Sequence, residues 1–181
     1  MSDSASIERS VVVLADAWGN PLGAADKEAA HRAPGILHLA FSVVLYRRDT
    51  VLLQQRSAEK YHFPLHWTNA CCSHPAPGED VLFSAERRVL EELGCHASLQ
   101  PAGRFIYRAI CPASGLIEHE FDYVFFGELD EEPRPEPSEI EATQWMRPAD
   151  VFAGRITGAT TPWLIPALYF AEVARARGAA S

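Results

Sequence analysis

Between Ser73 and Cys95 the chain reads SHPAPGEDVLFSAERRVLEELGC. From about Glu79 to Leu93, the residues Leu82, Ala85, Val89 and Leu93 recur at three- and four-residue steps, the spacing that lines one face of an α-helix. Glu79, Glu86, Arg87, Glu91 and Glu92 are the charged residues of its other face, and Gly94 offers a left-handed stop. The segment is therefore expected to be a helix that buries an apolar stripe and presents a dense row of carboxylates and guanidinium groups.

Working outward, Val11 to Leu14 reads as a strand, followed by the turn-rich WGNPLG from Trp18 to Gly23. Lys27 to Arg32 has a short helical composition and stops before Pro34 and Gly35, which cannot continue a helix. The largely apolar run from Ile36 to Tyr46 suggests a buried strand, joined through RRDT to a second one from Val51 to Arg56, in the manner of a hairpin. Arg104 to Ile110 and Phe121 to Glu128 read as further strands. The acidic, proline-rich DEEPRPEPSE from Asp130 to Glu139 reads as a solvated loop, and a last helix is expected after Thr161-Pro162, carrying Trp163, Leu164 and Ala167 through to Arg177. Strands interleaved with helices in this order predict an α/β (α+β) fold, a mixed β-sheet sandwiched between α-helices.

A chain of 181 residues, 48% hydrophobic and 22% charged, suits one domain spanning 1–181. Its net charge of −8 disfavours nucleic acid and anionic membrane surfaces as partners, and a phosphate ligand would need a local basic cluster. The opening MSDSASIERS lacks the features of a signal peptide, and no apolar run reaches the roughly 20 residues of a membrane span. Four cysteines without the spacing of a disulfide framework fit a reduced, cytoplasmic compartment. A monomer or weak homodimer is expected.

Just before the helix stands TNACCSHP, Thr68 to Pro75. In an extended segment side chains alternate, so Cys72 and His74 share one face while Cys71 and Ser73 share the other. Neighbouring thiols so placed do not form a redox pair, the remaining cysteines lack the paired spacings of structural zinc, and Cys71 reads as a small core residue. The same alternation in LIEHEF puts Glu118 and Glu120 together with His119 opposite. Two carboxylates on one face repel unless a positive charge lies between them or one is neutral, although on a solvated strand the pair carries little meaning. Beside His31, His38 and His74 they would suit a borderline divalent metal; His62, His66, His96 and His119 have no comparable setting.

The stretch from Ser73 to Cys95 resembles the Nudix box, Gly…Glu…Arg-Glu-apolar-x-Glu-Glu-x-Gly-apolar, with Glu79, Arg87, Val89, Glu91, Glu92 and Gly94 in the matching places. It departs at Ser73, where the box has glycine, and at Arg88, where a glutamate is replaced by a phosphate-pairing cation. The ordered motifs KEAAH, LHLAFS, QRSAEK, WTNxCxHP, RFIYRA and GLIEHE, from about Lys27 through to Trp163, resemble type I isopentenyl diphosphate isomerases of the Nudix superfamily.

That resemblance implies conversion of isopentenyl diphosphate to dimethylallyl diphosphate by a metal-assisted 1,3-proton shift through a tertiary carbocation. It implies one divalent metal, zinc, manganese or magnesium, on His31, His38, His74, Glu118 and Glu120, and a diphosphate-bound Mg²⁺ on Glu92. Cys72 would be a thiolate base favoured by nearby positive charge, and Glu120, working with Tyr107, the acid. Lys27, Arg56, Lys60 and Arg88 would bind the diphosphate, and the indole of Trp163 would face the cation, with Trp67 a further candidate for the wall. If Ser73 replaces a glycine that needs a positive φ, it would cost on the order of 1 kcal/mol. The alternatives are a Nudix hydrolase cleaving a diphosphate, supported by Glu79, Glu91 and Glu92 and opposed by Arg88, and a non-catalytic metal- or diphosphate-binding module, which needs none of Cys72, Tyr107 and Glu120.

Overall fold

The computed structural model describes residues 11–178, so the opening MSDSASIERS and both ends of the expected 1–181 domain lie outside the described residues. The chain runs β1 (Val11–Ala15), β2 (Pro21–Asp26), α1 (Lys27–His31), β3 (His38–Arg47), β4 (Thr50–Arg56), β5 (Trp67–Asn69), β6 (Cys71–Ser73), α2 (Val81–Leu93), β7 (Gln100–Ile110), β8 (Ile117–Glu128), β9 (Ile140–Met146), α3 (Pro148–Phe152) and α4 (Leu164–Gly178).

Its strands form one mixed sheet. β3 is central: it pairs antiparallel with β1, β4 and β6 and parallel with β8, which in turn pairs antiparallel with β7; β4 carries β5 and β9. Because β3 is apolar on both faces, each face needs a cover. Phe41, Val43 and Leu45 meet Ala85, Val89 and Leu93 of α2, whereas Val44 and Tyr46 meet Leu164, Ala167, Leu168 and Ala171 of α4. Each large apolar side chain so buried contributes roughly 1.5–3 kcal/mol. The result is the expected α+β sandwich, a sheet between two helices.

The helix read from Ser73–Cys95 is present with clear ends. Asp80 caps it by accepting from the Phe83 amide at 3.0 Å, so it starts at Val81, not Glu79. Gly94 ends it at φ 63°, with a Cβ there meeting Arg134 Cβ at 3.1 Å. The segment 130–139 is not merely solvated: Arg134 and Glu136 amides donate to the Leu93 and Glu92 carbonyls at 2.6 and 2.8 Å, satisfying acceptors at the helix end. β2, β9 and α3 were not expected from the sequence, β7 starts earlier than Arg104, and β8 starts at Ile117 where LIEHEF was read as extended. β2 is exposed almost throughout, which leaves it without an alternating pattern.

Candidate active site

The parallel β3–β8 register sets His38 against Glu120, and the pleat then places Glu118, Glu120 and Asp122 on one face of β8. α1 is only a single turn or so, but its cap, Asp26 accepting from the Ala29 amide at 2.9 Å, and its buried Ala30 hold His31 over that face. β6 pairs Ser42 with Cys72 and Val43 with Cys71. Cys71 therefore enters the core under α2, and Cys72 faces the other side, followed by His74.

Ligand atoms of His31, His38, His74, Glu118 and Glu120 all lie within 4.8 Å of one another. His31 Nε2 is 2.9 Å from Glu118 Oε2, His74 Nε2 is 2.9 Å from Glu120 Oε1, and His38 Nε2 faces His74 Nε2 at 3.2 Å. His31 and His38 turn Nδ1 to the Lys27 and Ile36 carbonyls at 2.6 and 2.8 Å, which places the proton on Nδ1 and leaves the Nε2 lone pairs directed inward. His74 Nδ1 and Glu118 Oε1 are buried without a hydrogen-bond partner. Three imidazoles and two carboxylates so converged fit a divalent cation, because they leave inward lone pairs that few protons can bridge. Burial works against the charge on His31, but the Glu118 bond raises its pKa overall; burial pushes His74 far down, toward the neutral ring a metal requires. Burial would favour neutral Glu118, yet His62 and His31 hold it well below the usual carboxylate range.

Next to the cluster, Tyr107 Oη donates to Glu120 Oε2 at 2.5 Å, and Cys72 lines a small cavity of about 20 Å³ together with Tyr107, Glu120 and Trp163. The Cys72 thiol donates to Asn69 Oδ1 at 3.1 Å and accepts from Trp163 Nε1 at 3.1 Å. Burial pushes that thiol up to about 12, against the opposing pull of the Thr68 contact, the Arg56 charge and the Trp163 N–H. Burial, then Glu120, likewise raises Tyr107. Trp163 gives its N–H edge to the sulfur while its ring packs 5.6 Å from that of Tyr107 and 5.2 Å from Phe63. Trp67 is not part of this wall; it packs with the α4 core. Ser73 is an extended strand residue paired with Phe41, with no positive φ, so the expected backbone cost is absent.

The small cavity adjoins a larger one of about 300 Å³ lined by Lys27, Arg56, Lys60 and Arg88, the local basic cluster that an acidic chain needs for phosphate. Burial, then Lys60, lowers Lys27 to about 8. Arg56 Nε and Nη2 donate to the His62 carbonyl at 3.3 and 3.1 Å, Lys60 pairs with Glu139, and Arg88 reaches Glu91, Glu92 and Glu139. Glu92 is buried with Arg88 Nη2 on its Oε1 at 2.6 Å.

Two site residues were missed from the sequence. His62 Nδ1 approaches Glu118 Oε1 to 2.7 Å, close but without hydrogen-bond alignment, and burial lowers its pKa to about 4. It reaches there through a loop whose Phe63 and Leu65 both have positive φ, which no periodic pattern signals. Asp122 was legible as the next residue on the Glu118–Glu120 face; burial, then Glu120, raises its pKa well above the usual range, and Ser42 donates to it at 2.8 Å.

Residues 36–164 match the NUDIX domain. Among solved structures, DR0079 from Deinococcus radiodurans shares the fold at a TM-score of 0.69 and 18% identity, over 88% of this chain and 97% of that one. The MutT protein from Methanosarcina mazei does so at 0.62 and 16%, over 78% and 95%. The chain is thus built on a NUDIX domain, with a histidine–carboxylate cluster beside its helix. It is 49% identical to the isopentenyl-diphosphate Delta-isomerase of Nocardia farcinica over 168 residues, covering 90% of this chain and 95% of that protein. The isopentenyl-diphosphate Delta-isomerase of Streptomyces coelicolor is 40% identical over 169 residues, 92% and 86% of the two chains. The chain belongs to the isopentenyl-diphosphate Delta-isomerase family.

Proposed function

We propose that this chain interconverts isopentenyl diphosphate and dimethylallyl diphosphate by a 1,3-proton shift. The observation that carries the reading is that Cys72 and the Tyr107–Glu120 pair line one narrow cavity that adjoins a cationic pocket. One proton must be added at the terminal carbon and another removed from C2, and two separate proton-carrying groups in one cavity serve both needs. In the forward direction Glu120 donates with Tyr107 as its partner, and Cys72 accepts.

Lys27, Arg56, Lys60 and Arg88 would hold the diphosphate, and the packed aromatic wall of Phe63, Tyr107 and Trp163 would shelter a tertiary carbocation from water. The residues fit a divalent metal, zinc, manganese or magnesium, on His31, His38, His74, Glu118 and Glu120, and Glu92, which now accepts from Arg88 Nη2, would serve the Mg²⁺ that accompanies a diphosphate. When bound, the first ion would offset the carboxylate repulsion and strengthen Glu120 as an acid. A reducing, cytoplasmic setting is supported by four free thiols, and a monomer or weak homodimer suffices because every proposed group comes from one chain. No step needs nucleic acid or a membrane, and no helix among the described residues is long and apolar enough to cross one.

The test is ¹H NMR of isopentenyl diphosphate with the protein and Mg²⁺ in D₂O, alongside phosphate release. Dimethylallyl diphosphate with deuterium in a methyl group is the expected product. Released phosphate without isomerised product would replace this reading with hydrolysis, which the Arg88 guanidinium among Glu91, Glu92 and Glu139 disfavours.

A further inference from the structure

Among the groups lining the cationic pocket, Glu139 is a carboxylate that joins two of its cations. Its Oε2 pairs with the Lys60 ammonium and its Oε1 accepts from Arg88 Nη2 at 3.1 Å. Two oxygens spread over an ammonium and a guanidinium is the arrangement one phosphate group would adopt there. Glu91 and Glu92 also bond Arg88, at 2.6 Å each, but both belong to the same helix as Arg88 and are local i,i+3 and i,i+4 partners. Glu139 instead reaches in from the loop before β9.

Its backbone is fixed. The Glu139 amide donates to the Glu136 carbonyl at 2.9 Å, its carbonyl accepts from the Ser57 amide at 3.0 Å, and Ile140 pairs with Arg56. Side-chain rotation alone, once the two ion pairs part, therefore takes the carboxylate out of the pocket. Glu139 and Lys60 side chains are 17% and 24% exposed, open enough for an incoming anion to compete. Arg88 itself is buried and lines the pocket, so its guanidinium is held in place as its partner changes. Burial would raise the Glu139 pKa, but Lys60 and then Arg88 bring it down to about 2, so the group is an anion at neutral pH.

We infer that Glu139 is a built-in counter-ion which the substrate's diphosphate displaces from Lys60 and Arg88, so that this residue determines how tightly the pocket binds. The inference rests on the reading of the pocket as a diphosphate site. Glu139 keeps the cations ordered and mutually unrepelled before substrate arrives, and every binding event must break its two ion pairs. Partly exposed pairs of this kind together oppose binding by about tenfold. Neutralising Glu139 should therefore change two properties in opposite directions. The empty protein loses stability because its cations repel, and the liganded one gains affinity. A purely structural role for Glu139 would lower both.

The experiment is calorimetric titration of inorganic diphosphate, in Mg²⁺ buffer, into the full chain and its Glu139→Gln and Glu139→Asp variants, with ligand-free melting curves for each. Glu139→Gln is expected to bind about tenfold more tightly and to melt lower, while Glu139→Asp, which keeps the charge, stays within about twofold of the unaltered chain. Equal or weaker binding by Glu139→Gln overturns the inference and makes Glu139 a group that stays in place. Lys60→Met in the unaltered background separates the two levels. If diphosphate binds and weakens with Lys60→Met, the pocket reading stands whatever Glu139 does. If neither the unaltered chain nor Glu139→Gln binds diphosphate, the pocket reading fails and takes the inference with it.

Discussion

Cys71 and Cys72 are chemically identical neighbours given different work by the pleat. Cys71 is fully buried among Val89, Leu93 and Phe41, and Cys72 meets Asn69, Trp163 and the cavity. Cys72→Ala is expected to reduce isomerisation by at least about three orders of magnitude with little change in melting, since it removes one of two proton carriers. Cys71→Ala should retain turnover and cost about 1 kcal/mol in denaturant unfolding, through the small void it leaves. Ser73 makes a complementary case. Because it is an extended residue paired with Phe41, Ser73→Gly should not improve activity and should destabilise by roughly 0.5–1 kcal/mol from added backbone entropy. At this scale the alternation of Cys72 with Cys71, and of Glu118 and Glu120 with His119, was legible before any coordinates. His62 was not, because its place depends on the left-handed turns at Phe63 and Leu65.

At the scale of elements, α2 shows how one helix joins the core to the site. Glu79 lies just before its cap and turns back, accepting from the Ala76 amide at 3.0 Å and from Arg87 Nε at 2.8 Å, while Arg87 also reaches Glu91 at 2.8 Å. Burial would raise the Glu79 pKa, but the Arg87 bond outweighs it and brings the group to about 2 from 4.5. A depressed carboxylate stabilises the fold above its unfolded pKa, and that contribution is lost as pH falls from 4.5 toward 2. Glu79→Gln is therefore expected to lower stability by about 1 kcal/mol at pH 7, discounted for the half-open setting, with the gap to the unaltered chain closing in acid; urea unfolding across pH checks it. The 3.6-residue rhythm made this helix readable, whereas β9, with the mixed sequence IEATQWM, and the exposed β2 had neither an apolar run nor clean alternation. Their places come from partners far along the chain.

For the molecule as a whole, the histidine–carboxylate cluster ties α1, β3, the segment after β6, and β8 to one point. If the ligands hold a divalent ion, its binding energy belongs to the folded state alone and adds to stability. Dialysis against a chelator is expected to lower the melting temperature on the order of 10 °C, with recovery on adding zinc or manganese. An unchanged melting curve after verified metal removal would speak against a resident ion. The α+β layering was legible because apolar strands and one strongly amphipathic helix left few ways to cover β3. The parallel pairing of β3 with β8 was not, since no local pattern encodes which distant strand arrives beside it.

That pairing carries a consequence for the order of events during synthesis. His31 and Glu118 are separated by 87 positions, and β3 leaves the ribosome long before β8 exists. An emerging chain that ends before Ile117 would hold its imidazoles with no carboxylates beside them, and its central strand with one edge still bare. Metal capture would then mark the moment at which the two halves of the polypeptide have found each other, so the ion would bind late and report a completed fold.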